Sequence, residues 1–403
     1  MTILAAQPDF FADAPAGVNC QSGFIRFNRD GQPVLEPHHR DHRCRHTSSA
    51  NYTGVKPLAA TSLMRKLLGG MFRDDPEARE KEALLQELAG SAIAGLATKL
   101  KQPKAVVILG RGANNGKSTF LDLLRGLMPA SAVATISPVH FEEPRYRVKL
   151  AGRLLNTSDE LSAAAIASDL FKTIITGDPI AAHDVYKSGV EFRPVAQHVF
   201  ATNRLPAFVG GLDKGVRRRL LVLELERSIP KYEMIPDLGE RILADEMDAL
   251  LAWAIDGAIR LLDQREFTTP ASSHAALEKW TRDTDPVRAW LALRIVLGLD
   301  LKNPDGYTRP QLYKWFCEWA DQNGYRKDRL PAINEFIDRI ADDYPCVRER
   351  TKTSRRIQGI IVLEEDRDPS MTAREASHAR LFDDMTTFNT SDQITADLTA
   401  QYH

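Results

Sequence analysis

Ten residues, GRGANNGKST at 110 to 119, carry the strongest chemical pattern in the chain. Lys117, Ser118 and Thr119 follow a glycine-rich stretch, which supplies an ammonium, two hydroxyls and a run of backbone N–H groups. Such groups together hold a polyphosphate and its divalent cation. The pattern G-x-x-x-x-G-K-[ST], counted back from Gly116, puts its first glycine at position 111, where Arg111 stands; Gly110 is one residue too far away. Gly112, Ala113, Asn114, Asn115 and Gly116 are small or tolerate left-handed geometry, so one extra residue can bulge near Arg111. The expectation is a working phosphate loop, with Lys117 on the β- and γ-phosphates of ATP and Ser118 on Mg²⁺. The plainer reading is a glycine-rich turn before a helix.

Hydrolysis needs more than a cradle: a carboxylate for the metal shell and another to polarise the attacking water. LLNTSDEL supplies Asp159 and Glu160 directly after an apolar run, about 40 residues beyond the loop. Alone, such a pair is usually a solvated surface feature; after a phosphate loop and a strand it is a candidate catalytic pair. HVFATNRLP then ends a strand on Asn203, an amide suited to sensing a γ-phosphate, although an Asn before a turn is commonly only a turn former. Arg217, Arg218 and Arg219 lead into LLVLEL, and three adjacent guanidiniums are costly to crowd unless anions meet them. One of the three is expected to act as an arginine finger in a neighbouring copy's site, within a ring-shaped oligomer. The plainer alternative is a solvated basic turn.

The elements that must hold these groups are legible as well. AVVIL (105 to 109) reads as a buried strand ending in the loop, and FLDLLRGLM as the helix that follows it. RLLNT (153 to 157), HVFAT (198 to 202) and LLVLEL (220 to 225) read as further strands with helical material between, which predicts an α/β fold with a mainly parallel sheet. GFIRF and NRDGQP (23 to 33) signal a hairpin. Helical spacing runs from about Thr61 to Leu100 and again over 239 to 265. After TTPASS (268 to 273), a separate unit is expected from Asp285 to Glu365, and from Asp366 a mobile tail poor in large apolar residues.

Composition narrows the classes. With 403 residues, two or three domains are expected; the net charge of −1 means that any nucleic-acid interface must come from local clusters rather than global basicity. Four scattered cysteines argue against a disulfide framework and for a reducing cytosol. No run of 18 apolar residues predicts a membrane span.

The ordered set GRGANNGKSTF, RLLNTSDEL, TGDPIAAHDVYKSGVEFRP, ATNRLP and RRRLLVLEL resembles superfamily 3 helicases, specifically the helicase half of phage and plasmid primase-helicases related to the poxvirus primase-helicase. Looser similarity extends the match over residues 15 to 365. The resemblance implies an AAA+-like P-loop NTPase motor (103 to 228) with an α-helical N-terminal collar (1 to 102), a helical segment after the motor (229 to 275) and a C-terminal winged-helix domain. It implies an ATP-dependent replicative DNA helicase that moves 3′ to 5′ on single-stranded DNA as a hexameric ring in the cytoplasm of a bacterial host. Gly112, Asn115, Gly116, Lys117, Ser118 and Thr119 would bind ATP, and Ser118 and Asp159 Mg²⁺. Glu160 would be the catalytic base, Asn203 the sensor, and Arg218, with Arg219 close behind, the finger. A hairpin before the sensor strand would grip DNA through Tyr186 and Lys187, assisted by His183. The usual large apolar residue before the paired arginines is replaced by Arg217, so which of the three is the finger stays open. About 100 residues before the loop leave no room for a polymerase, so a primase is expected on a separate chain or a missing part of this one.

PCVRERTKTSRR (345 to 356) sets Arg348, Arg350, Lys352, Arg355 and Arg356 against Glu349 alone, followed by a strand, IQGIIVLEE. A charged wing that binds origin or other duplex DNA is the expectation, and a solvated basic hairpin the alternative. EPHHRDHRCRH (36 to 46) gathers His38, His39, His42, Cys44 and His46, ligand types that suit zinc, but no second C-x-x-C half closes a site; a polar loop is favoured. Two other classes remain: an ATP-switched DNA-binding initiator with little unwinding, and a small-molecule kinase, which would not explain the arginines.

Overall fold

The computed structural model describes residues 14–363 apart from 111, 162–163, 184–188, 210, 299, 301–302, 324, 326, 328–329, 345–346 and 351–354. Tyr186, Lys187, Lys352, Arg111 and the expected tail therefore lie outside the described residues. The chain divides into two compact units, Met1–Thr284 and Asp285–His403.

The first unit is built on a five-stranded sheet, parallel throughout. Across it the strands run Leu220–Glu224, Ala105–Leu109, Gln197–Thr202, Leu155–Ser158, Val133–Ala134. The two central strands, AVVIL and QHVFAT, are buried along their whole length, as parallel strands covered on both faces must be. Side chains alternate between two cores because the strand period is two. Val106, Ile108, Val199 and Ala201 enter one core, while Ala105, Val107, Leu109 and Phe200 enter the other.

The first core is closed by the helix Lys117–Gly126 and by Leu63–Phe72, Ala78–Ile93 and Met247–Gln264. The last two lie against each other along a seam where glycine is required: a Cβ on Gly90 would fall 2.4 Å from Ala258 N, and one on Gly257 2.2 Å from Gln86 O. Glu87 is fully buried in this seam and accepts from Arg260 Nε (2.7 Å), Thr268 N (2.7 Å) and Thr268 Oγ1 (2.6 Å). A buried charge is tolerable only when paired and hydrogen-bonded in this way. The second core holds Phe171, Phe208 and Trp280, with Trp280 Nε1 donating to Pro206 O at 2.8 Å. An antiparallel sheet of Gly17–Cys20, Gly23–Phe27 and Pro33–Glu36 adds Val18, Cys20 and Ile25 to the first core, with the hairpin where NRDGQP places it.

Three boundaries differ from the sequence expectation. The helix expected to reach Leu100 ends at Ile93, because Gly95 takes φ 62° and turns the chain; Leu96 and Leu100 are still buried, which is why their spacing looked helical. The segment after the sheet holds only a single 3-10 turn, Lys231–Glu233, between Leu225 and Asp237 before the helix Leu238–Asp245 begins. IQGIIVLEE is two strands, Arg355–Gln358 and Ile360–Val362, broken by Gly359 at φ 84° and paired with different partners.

The second unit packs helices Pro286–Arg294, Arg309–Gln322 and Ile333–Asp343 around Trp290, Phe316 and Phe336, with the Phe316 and Phe336 rings stacked 4.7 Å apart. Asp285 caps the first of these helices by accepting from Val287 N (3.0 Å) and Arg288 N (3.3 Å), and it pairs with Arg339 at 3.1 Å. Small strands complete it: Ile295–Leu297 pairs with Ile360–Val362, and Arg355–Gln358 lies between Tyr307–Thr308 and Val347–Arg350.

Candidate nucleotide site

The parallel sheet sets a direction, and the candidate residues sort by it. The loop follows Ala105–Leu109, Asp159 and Glu160 follow Leu155–Ser158, and Asn203 follows Gln197–Thr202. All three therefore emerge at the carboxyl edge of the sheet, where ligands of open α/β sheets bind. Because Gln197–Thr202 is inserted between the other two, Asn203 stands between the loop and the acids.

Lys117 is 8 % exposed, and its Nζ donates to Gly110 O (3.0 Å), Asn115 Oδ1 (3.2 Å) and Asn203 Oδ1 (3.0 Å). Among the described residues it makes no ion pair. Desolvation, with no carboxylate to offset it, lowers its pKa from the ordinary lysine value. Asn115, also buried, fixes the turn by donating to Gly112 O at 2.9 Å. Of the five residues expected to tolerate left-handed geometry, Gly116 at φ 83° and Asn114 at φ 59° adopt it. A Cβ on Gly116 would fall 2.7 Å from Met71 Cγ, so the loop also needs glycine for close packing. Ser118 is exposed and Thr119 half-buried in the first turn of the helix.

The sequence did not flag the segment that braces the loop. Ile229 N donates to Asn114 O at 2.7 Å, and Arg227 donates to Gly70 O (2.6 Å) and to both oxygens of Glu233 (2.9 and 2.8 Å). Arg227 Nη2, donating to both Glu233 oxygens, holds Glu233 below the usual carboxylate range. Arg125 was missed too. It lies seven residues beyond Ser118 on the same helix, and donates to Thr157 Oγ1 (2.9 Å), Asp122 Oδ1 (3.0 Å) and Asp159 Oδ2 (2.6 Å). A period-3.6 reading puts 118 and 125 on one face, which is the signal that could have found it. Asp159 and Glu160 are exposed, with Ser158 Oγ tying back to Glu160 O at 2.9 Å.

The oxygens of Ser118 and Asp159 are hard donors that suit Mg²⁺, which binds through one or two protein oxygens plus water and substrate phosphates. No group of three or more His, Cys, Asp or Glu able to hold a metal occurs among the described residues, and a Mg²⁺ site of this kind needs none.

The arginines lie at the opposite edge. Leu220 pairs with Ala105, and Arg219 O accepts from Ala105 N at 2.8 Å, so the run precedes its strand at the amino edge while the loop leaves at the carboxyl edge. Five residues of strand, roughly 16 Å, separate them. Arg217 pairs with Glu278 (3.4 Å), and Arg219 donates to Thr176 Oγ1 (2.7 Å) and Gly215 O (2.9 Å). Arg218 is exposed, and its guanidinium makes no hydrogen bond or ion pair among the described residues.

The DNA-facing candidates are placed in part. Ile180–Ala182 and Val190–Phe192 form an antiparallel hairpin before the Asn203 strand, with His183 exposed at its end. In the second unit the pairing sets Glu349 opposite Arg356 and Arg350 opposite Arg355, beside Arg348; Arg356 donates to Gly306 O at 3.2 Å. The histidine cluster splits: His38 meets Asn19 and His46 bonds Gly152 O at 2.8 Å, while His39 and His42 stay together with rings 6.1 Å apart, His42 also stacking on Phe24 at 4.0 Å. No helix among the described residues is long and apolar enough to cross a membrane.

A family model described only as a family of unknown function, DUF5906, matches residues 108–219, well under half the chain. No curated protein matches. Among solved structures, the A form apo structure of the NrS-1 C terminal region is 14% identical, with 78% of each chain covered and a TM-score of 0.45. An apo structure of the same region (305–718) is 15% identical, again with 78% of each chain covered and a TM-score of 0.45. JCV Helicase with a bound thiazolopyridinyl phenoxyphenyl acetamide is 11% identical over 55% of this chain and 67% of that one, at a TM-score of 0.27. Likenesses at these scores carry no argument about fold or activity.

Proposed function

We propose that this chain is an ATP-hydrolysing DNA motor, a replicative helicase of the superfamily 3 kind. The observation that carries the proposal is Lys117: a buried ammonium held by three neutral oxygens, with no counter-ion among the described residues, in the first turn of a helix whose N-terminus faces the carboxyl edge of a parallel sheet. Burying a cation unpaired is costly, and an arriving polyphosphate supplies the missing charge. In this reading the N–H groups of Gly112 to Gly116 and Lys117 bind the phosphates of ATP, and Thr119 supports them. Mg²⁺, when bound, neutralises charge on the phosphates, and Ser118 and Asp159 are the side chains that would hold it. Asp159 must first exchange its contact with Arg125. Glu160 is the base that orients and deprotonates water, and Asn203, already in contact with Lys117, senses the γ-phosphate.

The arginine run supports assembly. No guanidinium at the amino edge reaches a loop at the carboxyl edge of its own sheet, so Arg218 has work to do only in a neighbouring copy, which favours a ring, with six members expected. Arg217 and Arg219 are engaged within their own chain, which favours Arg218 as the finger. In this reading the hairpin before the Asn203 strand, whose described part ends on the exposed His183, contacts single-stranded DNA through His183, Tyr186 and Lys187. The three-helix second unit with its cation-bearing hairpin fits a winged helix that binds origin duplex DNA through Arg348, Arg350, Lys352, Arg355 and Arg356. A separate primase would complete the replication reaction.

Hydrolysis and strand displacement from a forked substrate test the proposal together. Lys117→Ala should abolish both, whereas Lys187→Ala should keep basal hydrolysis and lose its stimulation by DNA. Hydrolysis without displacement would instead identify an ATP-switched initiator.

A further inference from the structure

A cavity of about 570 Å³ opens in the first unit, away from the phosphate loop. Its walls include Met128 and Pro129, Ala151 to Leu154, and Val195. These are the segments that enter the strands at Val133, Leu155 and Gln197, so the cavity lies at the amino edge of the sheet. Four to six residues of strand, roughly 13 to 20 Å, separate it from the edge where Lys117 stands. A second wall is the base of the hairpin, from Pro179 and from Glu191 to Arg193, and a third comes from Gly17 to Asn19 and Arg43 to His46.

The lining has two chemistries. Arg43, Arg45, Lys99 and Arg193 contribute cations against one carboxylate, Glu191, in a chain whose overall charge is balanced. Val18, Ile93, Met128, Leu154 and Phe192 contribute apolar surface. Lys99 donates one hydrogen to Ala14 O (2.8 Å), out of the three an ammonium offers. Lys99 is exposed overall, yet partial desolvation lowers its pKa, and burial raises the neighbouring half-buried Cys44 thiol to about 11, so Cys44 is a neutral thiol and no counter-ion at neutral pH. The volume is that of sites which enclose small ligands. A simple anion would leave the apolar wall wet, and an apolar ligand would leave Lys99 and Arg193, which make no ion pair among the described residues, without a charge partner. A phosphate joined to a flat, weakly polar ring satisfies both, the ring against Phe192 and Met128 and the phosphate toward Lys99 and Arg193.

We propose that this cavity binds a nucleoside monophosphate unit, either free or within a single strand, at a site distinct from the ATP loop. The inference deepens the DNA-motor reading, since Phe192 and Glu191 belong to the hairpin expected to touch the strand, and filling the cavity would brace that hairpin at its base.

The test uses the full chain carrying Lys117→Ala, which silences the loop, and reads binding rather than hydrolysis, so failure of the motor reading leaves it interpretable. The probes are dTMP, a labelled oligothymidylate and inorganic phosphate. Replacing both cations (Lys99→Gln with Arg193→Gln) should weaken dTMP or oligothymidylate binding about tenfold or more at low salt, with the gap narrowing as salt rises. Glu191→Gln, which removes the one opposing charge, should tighten binding and serves if the double variant does not fold. Binding of dTMP would identify a free nucleotide site, and binding of the oligomer alone a strand site; both support the proposal. Unchanged affinity in the double variant and in Glu191→Gln overturns it, as does inorganic phosphate competing as well as dTMP.

Discussion

Asn203→Asp is a one-atom-scale change that tests how Lys117 is held. In the native chain an amide oxygen accepts from Lys117 Nζ at 3.0 Å. The substitution puts a carboxylate there, and Coulomb's law at that distance gives about 1.4 kcal/mol in a water-like dielectric and about 5.5 kcal/mol at an effective dielectric of 20. Asn203 is exposed and Lys117 buried, so the pair lies between these limits, and roughly 2 kcal/mol is a reasonable working value. That energy stabilises the ligand-free protein and must be returned when a polyphosphate claims the ammonium. The melting temperature of the ligand-free variant should therefore rise. Affinity for a fluorescent ATP analogue should fall about thirtyfold, since 1.4 kcal/mol is about tenfold, and the added negative charge facing the phosphates pushes the same way. Asn203→Ala removes one hydrogen bond and should cost about fivefold, with no gain in melting temperature. If the Asp variant bound the analogue as tightly as the native chain, or melted lower than the Ala variant, Lys117 would not be the phosphate ligand in the arrangement described.

If each pocket is shared between copies, Glu160→Gln and Arg218→Ala subunits should each be inactive, while mixtures recover partial hydrolysis from pockets that pair a native Glu160 with a native Arg218; mixtures as inactive as the parents would refute sharing. His198 is fully buried, with Nε2 unpartnered among the described residues and its pKa pushed down to about 3 by desolvation. Because the folded pKa lies below the unfolded value, its contribution is present above about pH 6.5 and is lost as pH falls toward 3, by about 2 kcal/mol between pH 7.5 and 5. Urea unfolding at those two pH values should show that loss, reduced in His198→Gln. Glu87→Ala leaves Arg260 and the Thr268 N–H without their partner in the helix seam and should cost about 3 kcal/mol or more, read as a lower urea midpoint; a change within error would mean the seam relaxes around the loss.

The sequence determined the types of the candidate residues and the order of the elements that carry them. Lys117 after Gly116, acids after an apolar run, and Asn203 after another were each recognisable because a strand ending in a polar residue is a local pattern, written in period two and its punctuation. Residue type marked Gly112 to Gly116 as tolerant of left-handed geometry, but only the folded loop showed that Asn114 and Gly116 are the two that adopt it. Burial misled where spacing mimics a helix: Leu96 and Leu100 reach the core from a turn that Gly95 begins. Only the tertiary structure decided which strand lies beside which, and hence that Asn203 stands beside Lys117 while Arg217 to Arg219 stand at the far edge of the sheet. It alone revealed Arg125 on Asp159, the brace from Ile229 to Asn114 and the cation-lined cavity at the hairpin base. Each joins residues far apart in sequence, and such pairings depend on how the sheet is ordered and the helices pack, which one chain read in order does not encode locally.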